Sequence, residues 1–440
     1  MSESFGIAVV GCGRVGGATA LLLQSDSGRI SVKAGAPIEL VHVVDVDFTH
    51  GIEIGIEDSF FTSDVEAAIA DPAVRCVVEL IGGTTFARTV IEKALIAGKH
   101  VVTANKALLA MEGASLFALA RLHGVTISFE ASCGGAIPIV RALYDGLVAN
   151  RIDALYGILN GTCNYILTAM NRHGESYSNA LALAQEHGLV EADPSLDVSG
   201  GDTAHKLTIL GSLAFGKRID LDKIPVEGID TLEPLDVAFG SELGYVVKLL
   251  AIAQRRDNGV SLRVRPSFIG TDHPLAWVSG SFNALSIYGS SAGHTMYYGR
   301  GAGGTPTASA IAADIVQIAI GSYQPVFGSL SIWADLTESA VQLPVDQIES
   351  RFYIRVTVED KPGVLARISS ILGNHEISVS AVIQRESESE ADRPAVPVVI
   401  TTHMTTEGRV RAALEEIEAE TFCVRSGVCI GIIDEHEESI

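Results

Sequence analysis

Residues 188–210 read GLVEADPSLDVSGGDTAHKLTIL. Four carboxylates, Glu191, Asp193, Asp197 and Asp202, fall within twelve positions, and a single Lys206 follows in what reads as an apolar helix. Asp202 and Lys206 stand four apart, so on a helix they share a face, acid N-terminal to base. Two readings fit. In the first, Asp202 is a helix N-cap, Lys206 is its ion-pair partner, and the other acids line a solvated loop. In the second, the acids hold an ammonium group in a polar pocket while the lysine–aspartate pair manages a proton. Another lysine, Lys106 in TANKALLA, falls in the first turn of its helix, where the dipole disfavours a cation. Either it is solvated, or it faces an anionic ligand or a proton-transfer site with its pKa drawn down.

Such groups need a scaffold. FGIAVVGCGRVGGATALLLQ is an apolar run, then Gly11-Cys12-Gly13-Arg14-Val15-Gly16, then a helical pattern. G-x-G-x-x-G between strand and helix is a dinucleotide-binding signature. Gly11 permits the tight turn, Gly13 lets backbone approach a pyrophosphate, and Gly16 lets helix and strand pack closely. The phosphates would sit on the helix N-terminus. A second strand, IELVHVVDVD, ends at Asp45, placed to bond a ribose 2′-OH and repel a 2′-phosphate, which favours NAD over NADP. The inserted SDSGRISVKAGAP makes the spacing long, and Asp47 is an alternative. Strands and helices keep alternating to VTISFEAS, which predicts a mostly parallel sheet. Ile81-Gly82-Gly83-Thr84 and Thr103-Ala104-Asn105-Lys106 lie at carboxyl ends of its strands, where ligands bind. Further on, ALYGIL runs into Asn160-Gly161-Thr162 and a helix, with Thr162 as expected N-cap and the free N–H groups open to a substrate carboxylate.

The expected class is α/β with three parts. A Rossmann-type parallel-sheet domain spans 1–135, with a helix returning from 299–325. An α+β substrate and dimerisation domain spans 136–298, and 326–349 reads as a linker. Residues 350–435 run βαββαβ, a ferredoxin-like unit. Its turn Asp360-Lys361-Pro362-Gly363-Val364-Leu365-Ala366 opens a helix and could grip a small zwitterion; the alternative is a dimerisation module without a ligand.

Composition narrows the partners. The chain has 440 residues, 31 basic and 53 acidic, for a formal charge of -22. No Lys/Arg run offsets that charge, so no nucleic-acid partner is expected. No apolar stretch reaches membrane-spanning length, and MSESFGIAVV lacks the basic start of a signal peptide. Six scattered cysteines without C-x-x-C pairs read as free thiols in a reducing compartment, hence a cytoplasmic protein.

Eight stretches in order resemble the homoserine dehydrogenase family, in its monofunctional form with a C-terminal ACT domain. They are GCGRVGG, TANKALLA, FEASCGGAIPIV, GILNGTCNYIL, EADPSLDVSGGDTAHKLTIL, ELGYVVKLLAIA, DHPLA and GRGAGGTPTASAIAADI, and VEDKPGVLARISSIL resembles the ACT module. The resemblance implies interconversion of L-homoserine and L-aspartate 4-semialdehyde with NAD or NADP. It implies that Glu191, with Asp197, holds the substrate amine and that Asp202 orients the reacting end. Lys206 would carry the hydroxyl proton with Lys106 close by, and Gly161 and Thr162 would lie near substrate and cofactor. Gly303 and Gly304 would border the nicotinamide. A monovalent cation, usually Na+, would sit near Glu130, Cys133, Gly135 and Ile137. The ACT loop would bind an amino-acid effector, threonine being the expected one, in a homodimer or homotetramer. Leu189 stands where many members carry an aromatic ring, and Asp45 where NADP-preferring members carry a basic or neutral residue. A related dehydrogenase on another amino alcohol, or an amino-acid sensor with an inert cofactor domain, are the alternatives.

Overall fold

The computed structural model describes residues 4–190, 193–385 and 395–437. Its first sheet contains β1 (Phe5–Val10), β2 (Ile38–Val44), β3 (Phe61–Thr62), β4 (Val74–Glu79), β5 (His100–Thr103) and β6 (Ile127–Ser128). All pairings are parallel, in the order β3-β2-β1-β4-β5-β6. That is the order of a doubly wound dinucleotide fold, whose switch point lies between β1 and β4. Strands covered on both faces need apolar residues at successive positions. Ile7 to Val9 and Val77 to Val78 meet that need and are fully buried. The first helix runs Arg14–Ala34 and stops at Gly35, so the inserted segment between the glycines and Asp45 is extra helix. The helix Gly304–Ala319 returns to this domain and packs so closely that a Cβ on Gly304 would come within 2.8 Å of the Arg14 carbonyl.

A second, ten-stranded sheet contains β7 (Ile152–Ile158), β8 (Tyr245–Arg256), β9 (Gly259–Gly270), β10 (Phe282–Gly289) and β11 (Gly293–Arg300). It continues through β12 (Glu349–Glu359), β13 (Val379–Gln384), β14 (Ala395–Thr402), β15 (Thr405–Thr406) and β16 (Cys423–Ile433). Helices Gly161–His173 and Gly201–Phe215 pack on β8. The second is buried nearly all round, as expected of a helix held between a sheet and another domain.

The C-terminal unit has the expected strand–helix–strand–strand–helix–strand order, with the short β15 added, and its own core of Phe352, Ile354, Ile368, Ile371, Val398 and Ile417. It is not separate from the middle of the chain. β16 pairs in parallel with β9, Gly431 to Ile433 against Ser267 to Ile269, which makes the two sheets one. Buried ion pairs fasten the joint: Arg265 with Glu407, and Arg355 with Asp236 at 2.6 Å, where Tyr353 also donates at 2.9 Å. Residues 326–349, expected as a linker, are pinned. Trp333 is fully buried against Phe117, Phe129, Tyr144 and Phe327, and Asp335 pairs with Arg121 at 2.6 Å. Among the described residues no single helix is long and apolar enough to cross a membrane.

Candidate active site

The crevice opens where β1 and β4 end. Gly11 has φ +104°, and a Cβ on Gly16 would lie 1.7 Å from the Gly11 carbonyl, so the turn excludes any larger residue at either place. Around Gly13 there is open space, as a phosphate would need. Arg14 and Val15 then open the helix, with its free N–H groups toward that space. Asp45 closes the far side. One of its oxygens accepts the Cys12 N–H at 2.5 Å and the other the Val46 N–H at 2.7 Å, so its carboxylate sits against the glycine loop. Asp47 instead folds onto Thr49 and forms the next turn.

Across the crevice, the buried Glu79 accepts from Ile81 N–H at 2.9 Å and from the Thr103 hydroxyl at 2.7 Å. This holds the turn carrying Gly82 and Gly83, both at positive φ, and Thr84 then leads into the helix Thr85–Ile96. Thr103 is fully buried; its hydroxyl donates to Glu79 and accepts the Asn105 N–H at 3.0 Å, so its side chain orders the strand end. Gly303, at φ +119°, precedes the returning helix beside the glycine loop.

The second wall comes from the other domain. Asn160 follows β7 and Asp202 lies in the first turn of Gly201–Phe215. Asp202 is 3% exposed. Its Oδ2 accepts from Lys206 Nζ at 2.6 Å and from Asn160 Nδ2 at 2.9 Å, while Lys106 Nζ lies 3.0 Å from Oδ1. Lys206 Nζ also donates to the Leu159 carbonyl at 2.7 Å. The Asn160 amide gives its second hydrogen to Asp197 Oδ1 at 2.7 Å. Both lysines and two of the acids therefore converge, and the Lys106–Asp202 pair ties the cofactor sheet to the second domain. Glu191 lies outside the described residues.

Three expectations change. Asp202 is not an N-cap: Gly200 holds that place, and the Asp202 side chain is turned inward to the lysines. Thr162 is not the cap of its helix either. The Asn160 side chain accepts the Cys163 N–H at 2.8 Å, and Thr162 donates to the Leu189 carbonyl at 3.1 Å, next to Gly161, which abuts the Ser281 carbonyl. Lys106 has its pKa raised, not lowered, because the charge of Asp202 outweighs burial. For Asp202, burial acts upward, but the ammonium groups of Lys206 and Lys106 hold the carboxyl well below its usual range. Burial, then the charge of Asp202, pushes Asp197 up.

The loop after β6 lies behind this wall. Glu130 accepts N–H groups of Val140 at 2.9 Å and Arg141 at 2.8 Å, and its own N–H donates to Asp314 at 2.9 Å. Burial, reinforced by Asp314, pushes Glu130 up to about 8, and burial pushes Asp314 up to about 6. Cys133 lies beneath the Lys206 carbonyl, its thiol pushed up to about 12 by burial. Ile137 N–H donates to Gly134 at 3.0 Å, and Gly135 is packed on Gly301. Among the described residues no three His, Cys, Asp or Glu side chains cluster as a metal site. In the C-terminal unit, Asp360, Pro362, Gly363, Val364 and Leu365 line a cavity of about 360 Å³ with Gln384.

Residues 138–316 match the family described as homoserine dehydrogenase, 11–130 its NAD-binding domain, and 352–422 the ACT domain. The chain is 40% identical over 416 residues to a homoserine dehydrogenase of Pseudomonas aeruginosa, covering 94% of this chain and 95% of that one. It belongs to the homoserine dehydrogenase family. A homoserine dehydrogenase structure from Thiobacillus denitrificans superposes with a TM-score of 0.91 at 38% identity, over 98% of this chain and 99% of that one. A hyperthermophilic archaeal homoserine dehydrogenase solved with NADPH superposes at 0.60 and 25% identity, covering 71% of this chain and 97% of its own. As a homoserine dehydrogenase the chain is an NAD(P)-dependent oxidoreductase acting on a CH–OH group, with a role in amino-acid biosynthesis. The NAD-binding match holds the glycine loop, Asp45, Gly82 and Lys106, and the catalytic match holds Asn160 to Lys206. Asn160, the Leu159 carbonyl and Glu79 escaped the sequence reading. For Asn160 a signal was present, since Asn is as good an N-cap as Thr or better.

Proposed function

We propose that the convergence of Lys206, Asp202 and Lys106 is where L-homoserine and L-aspartate 4-semialdehyde are interconverted. The observation that carries this is the hydrogen bonding of Lys206. An ammonium has three N–H donors, and the Leu159 carbonyl and Asp202 use two. Among the described residues the third has no acceptor, and it is left for the substrate oxygen. During oxidation, neutral Lys206 Nζ takes the hydroxyl proton; during reduction its ammonium returns it, stabilising the developing alkoxide. Asp202 holds Lys206 in place, and Lys106 supplies a second positive charge at the reacting end. Asp197 with Glu191 binds the substrate ammonium, and backbone at Gly161 and Thr162 borders the substrate. Bound nicotinamide would supply or accept the hydride.

The cofactor pyrophosphate would rest on Gly11, Gly13, Arg14, Val15 and Gly16, with Gly82, Thr84 and Gly303 around the crevice. Asp45 fits a ribose diol and would repel a 2′-phosphate, which favours NAD. Glu130 and Asp314 place two buried carboxyls beside one guanidinium, Arg141, at 3.5 Å from Asp314. A monovalent cation such as Na+ near Glu130, Cys133, Gly135 and Ile137 would favour the ionised form of Glu130, which burial otherwise disfavours. In the ACT loop a helix N-terminus and a small cavity suit an amino-acid effector, with threonine the first candidate. We infer a homodimer or homotetramer working in the cytoplasm. The test is nicotinamide reduction with L-homoserine, comparing NAD with NADP, with and without Na+ and threonine. Absence of homoserine-dependent reduction with either cofactor overturns the reading.

A further inference from the structure

We propose that Asn160 is a positioning residue that sets the chain length of the amino alcohol accepted, an inference that rests on the reading of the site above. One side-chain nitrogen, on a residue 6% exposed, donates to Asp197 at 2.7 Å and to Asp202 at 2.9 Å. Both carboxylate oxygens therefore lie within 2.9 Å of a single atom. Left alone, the half-buried Asp197 carboxylate and the buried Asp202 carboxylate repel, and the turn bearing Asp197 would relax away from the helix bearing Asp202. The amide holds them at one separation.

That separation matters because the two acids serve opposite ends of the substrate. Asp197 faces the amine; Asp202, through Lys206, governs the hydroxyl. The preceding residue completes the gauge, since the Leu159 carbonyl accepts from Lys206 at 2.7 Å. Two consecutive residues thus fix the amine anchor, the orienting carboxylate and the proton carrier. The turn is itself braced. Asn160 Oδ1 accepts the Cys163 N–H at 2.8 Å, and Asn283 donates to the Leu159 carbonyl at 2.9 Å. In homoserine a single methylene separates the amine-bearing carbon from the hydroxyl-bearing carbon. An amino alcohol one methylene shorter or longer, pinned by its amine, brings the wrong distance to Lys206, and a 1 Å error there costs roughly 100-fold in rate.

Asn160→Ser and Asn160→Asp test this, because each keeps an oxygen able to cap the helix while removing the NH₂ group. kcat and KM are measured with L-serine, L-homoserine and 5-hydroxy-L-norvaline, with circular dichroism and thermal melting as checks on folding. Expected is a roughly 100-fold fall in kcat/KM for homoserine, carried mainly by kcat. The preference for homoserine over the shorter and longer alcohols should also narrow by roughly tenfold. A folded variant of either kind that loses rate equally on all three alcohols, or loses none, keeps the preference and overturns the proposal. If the unsubstituted chain turns over none of the three, the functional reading fails first, and that result is separate from a preference that survives substitution.

Discussion

Asp202→Asn removes one charge from the centre of the site and almost nothing from its shape. Asp202 Oδ2 receives Lys206 and Asn160, and Oδ1 faces Lys106. An asparagine must turn its NH₂ toward one of these sides, and all three groups there are donors. The less costly choice is toward Lys106, whose side chain is 36% exposed against 10% for Lys206. Water can take over part of what Lys106 loses, so that pair contributes about 1 kcal/mol or less. Lys206 has little water, and leaving a buried charge without its counter-ion costs about 3–5 kcal/mol. If about 3 kcal/mol of that falls on the reactive arrangement, kcat drops roughly 100-fold. Lys106, no longer held above its ordinary pKa by Asp202, returns toward it. The assay is steady-state homoserine oxidation with saturating cofactor, alongside circular dichroism. A folded variant with kcat within threefold of the parent (roughly 0.7 kcal/mol) would refute the claim that Asp202 holds Lys206 for chemistry.

Asp45→Asn should shift the NAD to NADP ratio of kcat/KM toward NADP by roughly tenfold, the worth of one charge-assisted hydrogen bond, and an unchanged ratio removes Asp45 from cofactor choice. Lys248 is 2% exposed, donates to Asn164 at 3.1 Å, and burial lowers its pKa to about 8. Between that value and the unfolded value near 10.4 the unfolded chain binds more protons, so stability rises with pH across this window, by about 3 kcal/mol. Lys248→Met should flatten that rise in a series of thermal melts from pH 7.5 to 10.5, and an unaltered slope contradicts the assignment. Gly363 opens its helix at φ +94°, which a β-branched residue resists. Gly363→Val should therefore raise the threonine concentration needed for half inhibition at least several-fold, and equal sensitivity would move the effector elsewhere.

Much of this was legible in the sequence because it depends on local rules. G-x-G-x-x-G names its own turn: Gly11 and Gly16 are demanded by φ and by contact with backbone. Asp202 and Lys206 meet because a helix makes them meet. What stayed hidden depends on partners far along the chain. The Lys106–Asp202 pair forms only when two domains close, and it reverses the expected shift of Lys106. Asn160 reads as a plain turn residue until Asp197 and Asp202, far along the chain, arrive beside its amide. The junction of β16 with β9 has three residues on each strand and no periodicity to betray it, so the C-terminal unit read as detached. Trp333 gave the clearest missed signal, since a lone tryptophan in a supposed linker seldom stays in water.

The most direct test of the account is kcat for L-homoserine oxidation by a folded Lys206→Met variant at saturating substrate and cofactor. Methionine keeps an unbranched side chain one atom shorter and loses the amine that carries the proton. A fall of roughly 100- to 10,000-fold is predicted, the range for losing a positioned proton carrier. Turnover within a few-fold of the parent would mean that the hydroxyl proton leaves by another route, and the mechanism built on Lys206 would be wrong.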